Sequence, residues 1–348
     1  MQRQHIRMAA ALLPSLLAFL MAACSSSQPA APPANEKAAE PAHEPLTPTE
    51  RAIWYQGCWS LFNEHNWAEF KKCYADNAVS EQMGYGPPSL TGPDAIVASS
   101  EQFAKSFPDA TGEAQLILVN GPHVAGIYLL KGMNSGPLTA PDGKEAPATN
   151  KKFGLLFGHA IDADETAPKV VKEWGVMDGA TLNAQLGLSK APARPVPSAG
   201  APMPTIVIAN NGDTEMKNIE AEKAQLEAWN NHDAKGVAMY ISDKSVMHEQ
   251  PAPRDMNKAQ NMAESVDFWK GFSDVKLTTS SMWAAGDYVA IIGRLDGTND
   301  GDFAPMNLKK TGKKASLPFL EIDRLEGGKL IEGWLFFDGL LFGSQMGL

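Results

Sequence analysis

The chain has 348 residues, 44% of them hydrophobic, and a formal net charge of −10. That charge, with no basic cluster anywhere, argues against a nucleic-acid partner and is accounted for by a solvated acidic surface. No C-x-x-C pair, H-E-x-x-H, G-x-S-x-G elbow, Walker loop or dinucleotide fingerprint occurs, so neither a metal nor a cofactor is expected.

The first segment reads as an address and not as fold. Arg3, His5 and Arg7 precede an apolar run from Met8 to Ala23, interrupted by Pro14. It is short for a bilayer span, which takes about 20 apolar residues. It has the charged start, apolar middle and small-residue end of a secretory signal. Its end, Leu20-Met-Ala-Ala-Cys24, resembles the bacterial lipoprotein signal, with Met21 where leucine is commoner. The resemblance implies that residues 1–24 form a lipoprotein signal, cleaved so that Cys24 becomes the lipidated N-terminus and membrane anchor. With Ser25 next, it implies the outer membrane, facing the periplasm. An ordinary signal peptide with an incidental cysteine is the alternative. Residues 25–46 are rich in Pro, Ala and Ser and lack apolar periodicity, so they read as a disordered tether.

A block of domain size follows, 47–188. Thr47-Pro-Thr-Glu50 is a capping box with Pro at the first helical position. Trp54, Cys58, Leu61 and Phe62 then recur at helical spacing. A turn at His65-Asn66 leads into a second helix near Trp67. Cys58 and Cys73 lie symmetrically about that turn, each about seven residues from it. In an antiparallel helix pair this brings them to one height, and in an oxidising compartment a disulfide is expected; two buried thiols are the alternative. Strand-like runs follow at Ala114 to Val119, Val124 to Lys131, Lys152 to Ile161 and Lys169 to Met177.

A Pro/Ala-rich linker, 189–212, separates this block from a second, 213–348, which repeats it. Phe62-Asn-Glu-His65-Asn66 corresponds to Trp229-Asn-Asn-His232-Asp233, and Phe107-Pro-Asp109 to Phe272-Ser-Asp274. The closing phrases agree best. Trp174-Gly-Val-Met-Asp178-Gly179 through Leu188 and Trp334-Leu-Phe-Phe-Asp338-Gly339 through Leu348 both read W-x3-D-G-x5-Q-[LM]-G-L. A domain-sized pair is a tandem duplication and not a solenoid. Helices first and strands after them give α+β domains with antiparallel sheets.

Helices, a curved sheet and this closing phrase resemble the SnoaL-like polyketide and ester cyclases of the nuclear-transport-factor-2-like superfamily. The resemblance covers both blocks. It implies two tandem cone-shaped α+β barrels, each with N-terminal helices packed on a curved antiparallel sheet. It leaves function broad, because the superfamily holds cyclases, isomerases, dehydratases, epoxide hydrolases and non-catalytic modules.

Alternate residues of a strand share a face. Trp334, Phe336 and Asp338 therefore lie on one side of the last strand, with Trp174, Val176 and Asp178 in the first copy. The resemblance implies that Asp178 and Asp338 are general acid/base groups of a cofactor-free ring closure or isomerisation. Their apolar faces would raise the carboxyl pKa, the more so at Asp338. Each Asp precedes Gly and can instead cap the last helix. His159, on the face of Phe157, and its counterpart Glu321, on the face of Phe319, are candidate ligand contacts, as are His248, Trp174 and Trp334. Glu81 stands where the second copy has His248. The opposite face of the last strand, Ile331, Leu335 and Phe337, is too apolar to leave wet, so the two domains are expected to pair through their sheets. The expected ligand is a small, largely apolar molecule. A cofactor-free cyclase or isomerase, a ligand-binding lipoprotein and a structural or partner-binding envelope protein all stay open.

Overall fold

A computed structural model describes residues 45–83, 88–139, 144–197, 200 and 203–348. The signal-like segment, Cys24 and nearly all of the tether lie outside the described residues. No helix among those described is long and apolar enough to cross a membrane.

The first domain begins with α1 (Pro48–Asn63). Thr47 accepts from the Glu50 amide, and the Glu50 carboxylate accepts from the Thr47 amide, so the capping box read from the sequence forms. The turn at His65, whose φ is 54°, leads into α2 (Trp67–Phe70). Cys58 on α1 and Cys73 beyond α2 are joined by a disulfide. Then come β1 (Tyr74–Met83), β2 (Ser89–Thr91), α3 (Pro93–Ser106), β3 (Thr111–Asn120) and β4 (His123–Met133). A small hairpin, β5 (Leu138–Thr139) with β6 (Glu145–Ala146), precedes β7 (Lys152–Ala163), β8 (Val170–Val176) and α4 (Gly179–Gln185).

The segment expected to be a plain linker contains a strand, β9 (Thr205–Ile208). It pairs in parallel with β3 as the edge strand of the first sheet, whose order is β2-β1-β8-β7-β4-β3-β9. Thr205-Ile-Val-Ile208 is a β-branched run, and it covers an edge that would otherwise expose unpaired backbone groups. The second domain repeats the plan with α5 (Asp213–Asn230), α6 (Ala234–Met239), β10 (Ile241–Glu249), β11 (Met256–Asn257) and α7 (Lys258–Gly271). It ends with β12 (Lys276–Ala285), β13 (Tyr288–Thr298), β14 (Lys314–Glu326), β15 (Lys329–Phe336) and α8 (Gly339–Met346), giving a sheet ordered β11-β10-β15-β14-β13-β12.

Both domains are α+β, but the expected barrel closure is not found. Each sheet is open, with different strands at its two edges, and helices take the place of missing strands as the far wall. Nor is either sheet wholly antiparallel: β1 runs parallel to β8, and β10 to β15. Between the members of each pair the chain runs through α3 and then β3, β4 and β7, or through α7 and then β12, β13 and β14, so neither pair is joined by a tight turn.

The sheets pair face to face. One continuous core contains Ala160, Trp174 and Val176 of the first domain and Trp283, Leu320 and Phe336 of the second. The expected pairing of the domains is therefore present, but through the face opposite to the one chosen from sequence. Trp334 and Phe336 face the other domain, whereas Leu335 and Phe337 face their own domain's interior. Both faces of these sheets are covered, one by helices and one by the other domain. Hydrophobic alternation alone could not say which was which.

Gly158 of β7 lies under the Phe336 ring. A Cβ there would stand 2.7 Å from Phe336 Cγ and 2.9 Å from Leu320 Cδ2. Such overpacking of a closed core typically costs about 1–3 kcal/mol. Gly158→Ala should lower the unfolding free energy by that order in chemical denaturation. A variant as stable as the parent would mean that the domains are not seated as described.

Candidate functional site

Each domain encloses a cavity between its sheet and its helices. In the first, a cavity of about 150 Å³ opens among Trp59, Phe62, Phe103, Phe157 and Met177. Tyr55, Cys58, Trp59 and Phe62 share one stripe of α1 at i, i+3, i+4 and i+7, which turns the Tyr55 hydroxyl toward the sheet. There Tyr55 Oη lies 2.6 Å from His159 Nδ1 on β7. His159 Nε2 lies 3.2 Å from Glu173 Oε2 on β8, and the Tyr74 hydroxyl donates to the same oxygen at 3.0 Å. Burial alone would push the Glu173 carboxyl up, but the His159 ring, Ser80 and Tyr74 outweigh it and hold the carboxyl below the usual carboxylate range. Burial pushes the Tyr55 and Tyr74 hydroxyls up. An ionised carboxylate, an imidazole and two protonated phenols thus form one chain along a mainly apolar and aromatic wall that also carries Ser80, Gln82, Ser99 and Ser100.

The second cavity, about 120 Å³, has the same architecture and a different chemistry. Glu222, Gln225, Leu226 and Trp229 form the matching stripe of α5 and all line it. Glu321 opposes Leu335 across β14 and β15 as His159 opposes Gly175 across β7 and β8. By the same registers Glu249 stands where the first domain has Gln82, and Asp323 where it has Ile161. Glu264 on α7 takes the place of Ser99 on α3, eight residues before Phe272 and Phe107 respectively. Burial raises all of these acids, and their mutual repulsion adds to it at Glu222, Glu249 and Asp323. Glu321 is pushed up to about 7 and Glu222 to about 8. Asp323 is 1% exposed, and neither of its oxygens has a hydrogen-bond partner.

The residues picked from sequence divide between the two faces of each sheet. His159 and Glu321 enter the cavities at equivalent positions. Trp174 and Trp334 do not; they pack toward the other domain. His248 lies on the sheet face away from the cavity, because its neighbours Met247 and Glu249 take the cavity side. Its ring stacks on Trp334 and meets Asp255 at 3.0 Å and Glu332 at 3.3 Å.

Asp178 and Asp338 likewise sit outside both cavities, at the junction of the domains. Asp178 accepts from the Ala180 and Thr181 amides of its own helix and from the Gly339 amide of the other domain at 2.9 Å. Asp338 accepts from Leu340 and Leu341 and, reciprocally, from Gly179 at 2.9 Å. Burial raises the Asp338 carboxyl to about 6, against the pull of these amides. The capping alternative thus describes both, and a cross-domain bond is added that a single domain's sequence could not announce. Glycine beside each Asp leaves the clasp room to close: a Cβ on Gly179 would stand 3.2 Å from Asp338 Oδ1, and one on Gly339 3.1 Å from Asp178 Oδ1, so either would push the carboxyl by a few tenths of an ångström.

Sequence reasoning missed Tyr55, Glu173, Glu222, Glu249, Glu264 and Asp323. The helical stripes carried a usable signal: Tyr55 is the one phenol, and Glu222 the one charged residue, in i, i+3, i+4, i+7 sets that also hold Trp59 and Phe62 or Leu226 and Trp229.

Two paired α+β domains, each with a pocket between helices and sheet, define a class of small-molecule-binding folds. The family model for SnoaL-like polyketide cyclases matches residues 50–186 and again residues 219–346. The chain belongs to that family. Among solved structures it is similar to AclR, a candidate hydroxylase from Streptomyces galilaeus, at 23% identity over 38% of this chain and 97% of that one, TM-score 0.35. A candidate SnoaL-like polyketide cyclase from Jannaschia sp. CCS1 matches at 18% identity over 39% and 94%, TM-score 0.36. IdmH, a candidate polyketide cyclase from Streptomyces antibioticus, matches at 21% over 38% and 99%, TM-score 0.34. No curated protein sequence matches the chain.

The acid cluster sets a pH dependence. A carboxyl whose pKa is higher folded than unfolded keeps its proton in the native state after the unfolded chain has lost it, so stability falls as pH rises between the two values. For Glu321 the window runs from 4.5 to about 7, and for Glu222 from 4.5 to about 8. The melting temperature should therefore decline from about pH 5 to about pH 8, and the decline should shrink in Glu222→Gln/Glu321→Gln. Glu173, whose pKa is lowered, acts below this window, because its contribution is lost only as pH falls under 4.5. Equal slopes in parent and variant would show that the two carboxyls ionise as they do in water.

Proposed function

We propose that this is an envelope lipoprotein that binds a small, largely apolar molecule in the cavity of its first domain. The Tyr55–His159–Glu173 chain gives that cavity cofactor-free acid–base capacity. The observation that carries the reading is one hydrogen-bonded chain, Tyr55 to His159 to Glu173, on the wall of an aromatic pocket. A cavity of about 150 Å³ is the size that takes a benzene-like ring, and aromatic walls with a few convergent polar groups are what small-molecule sites offer.

Two proton arrangements satisfy the chain. With neutral His159, Tyr55 donates to Nδ1, Nε2–H donates to Glu173, and the Tyr55 oxygen presents lone pairs to the cavity. With His159 protonated, Nδ1–H donates to Tyr55 instead, and the phenol proton turns to a ligand oxygen. The ionised Glu173 then balances the imidazolium. In the second arrangement Tyr55 stabilises negative charge developing on a ligand carbonyl oxygen, the kind of preorganised donor that accelerates enolisation and ring closure. A second reading, binding without turnover, is favoured by one observation: both ring nitrogens of His159 already have protein partners.

Mass spectrometry of molecules that copurify with the full chain in detergent tests the binding. A chain that retains nothing, and binds none of a panel of neutral apolar carbonyl compounds, ends the proposal. Where a ligand is found, Tyr55→Phe should weaken it, with a stability loss of about 1–3 kcal/mol from the unpaired His159 Nδ1. Any turnover should fall by about 10²–10⁴-fold in His159→Gln; unchanged turnover would leave the binding reading.

The anchoring rests on the run ending at Cys24. Cys24→Ser should release the protein from membranes or leave it as an uncleaved precursor. Unchanged partition and mass would refute the lipid anchor.

A further inference from the structure

We infer that the second cavity is a site for a small organic cation, an aromatic or alicyclic primary amine, distinct in chemistry from the ligand of the first. The proposal stands whether or not the first domain binds a neutral molecule, because it rests on other residues.

Four carboxyls line this pocket from four separate elements: Glu222 from α5, Glu249 from β10, Glu264 from α7 and Glu321 from β14. Asp323 lies behind them on β14. The cluster is not internally satisfied. Glu222 is only 2% exposed, lines the cavity and leaves Oε1 without a hydrogen-bond partner. Glu264 Oε2 and both Asp323 oxygens are buried without partners as well. Buried acceptors are ordinarily hydrogen-bonded, so the Glu222 and Glu264 oxygens, on residues that line the pocket, lack donors that a ligand there would bring. An ammonium group brings three donors and the opposite charge.

The rest of the lining selects the body of that ligand. Trp229, Phe268, Phe319, Leu335 and Phe337 make the remaining wall predominantly apolar, suited to a ring and to the attraction of a cation by aromatic faces. Among the described residues no group of three or more His, Cys, Asp or Glu side chains is arranged to hold a metal ion. The lining carboxyls come from four elements around a cavity with a predominantly apolar wall, so they suit a cation with a hydrocarbon body. The first cavity is an internal control. It has Tyr55, Gln82, Ser99, His159 and Ile161 at the five corresponding places, and no surplus of acid.

Binding is coupled to proton release. Every acid facing the pocket has its pKa raised, by burial first. Asp267 adds repulsion at Glu264, and Arg194 is the cation that opposes the rise, at Glu249. A cation arriving in the pocket favours the ionised forms, so an amine that stays protonated should bind more tightly as pH rises through the window in which Glu321 and Glu222 titrate.

The test is calorimetric titration of the full chain in detergent with benzylamine, and with benzyl alcohol as its neutral counterpart. Benzylamine should bind at least about tenfold more tightly at about pH 8 than at about pH 5.5, as expected where charged hydrogen bonds are gained. Its binding should release protons, seen as a dependence of the heat on the buffer. Glu222→Gln/Glu321→Gln, which removes buried charge and should fold at least as well, should abolish the preference for amine over alcohol. His159→Gln in the first domain should leave amine binding unchanged. Failure of the first domain to retain a neutral ligand would not touch these results. The proposal is overturned if benzyl alcohol binds as well as benzylamine, if the double variant keeps the amine affinity, if no amine binds, or if calcium ions occupy the same carboxyls in preference.

Discussion

The reciprocal clasp of Asp178 and Asp338 fixes how everything else is arranged. Each carboxylate caps its own terminal helix and also accepts the first amide of the other domain's terminal helix. The two capped helix starts therefore lie against each other about a local twofold relation, and the sheets that lead into them, β8 and β15, present matching faces. Around the clasp those faces bury Trp174, Val176 and Phe336 in one core. Once that face of each sheet is committed to pairing, the cavity has only the other face. The helices must supply its opposite wall. That is why the sheets need not close: α1 and α3, or α5 and α7, stand where a barrel would place further strands.

Within this frame the two pockets hold equivalent positions and different chemistry. The first resolves its polar groups internally. His159 has two partners, and Glu173 takes hydrogen bonds from Tyr74 and His159. The second has carboxyls at five positions, and several of their oxygens have no partner. In a buried site the first arrangement is close to neutral in stability, whereas the second costs stability until protons or a ligand neutralise it. The titratable group at the shared wall position illustrates the divergence. His159 is held between an acceptor and a phenol, while burial pushes the Glu321 carboxyl up to about 7.

Much of the fold was legible in the sequence because its signals are local or doubled. The capping box at Thr47, the turns at His65 and His232, and the repeated Trp-x3-Asp-Gly phrase all correspond to observed features. His159 and Glu321 were legible because each is a polar residue in line with large apolar ones, Phe153, Leu155 and Phe157 or Leu317 and Phe319, on one strand face. The last strands were not. Leu335 and Phe337 on one side and Trp334 and Phe336 on the other are equally apolar, since one side meets a cavity and the other a second domain. Parity read from hydrophobicity then selects a face by chance, and Asp178 and Asp338 followed Trp174 and Trp334 to the wrong side. The acid cluster was hidden for another reason. Glu222, Glu249, Glu264 and Asp323 are far apart in sequence, and each alone reads as a surface carboxylate.

The shared core also changes what each domain can tolerate. The first domain carries a cross-link between Cys58 and Cys73, and a bridge closing a loop of 15 residues contributes about 3 kcal/mol in the chain-entropy account. The second has Gln225 and Tyr240 at those places and bears the cost of its buried acids. Alone, it would be the less stable half. Unfolding it, however, would strip Trp174, Val176 and Ala160 of their cover and leave the Gly179 amide without its acceptor. Losing that apolar contact is itself unfavourable, at roughly 25 cal/mol for each Å² exposed. The strand β9 strengthens the coupling, because the chain entering the second domain is already hydrogen-bonded into the first domain's sheet. The interface thus lends the stability of the first domain to the second, and a pocket too acidic to be comfortable in an isolated domain is held open within the pair.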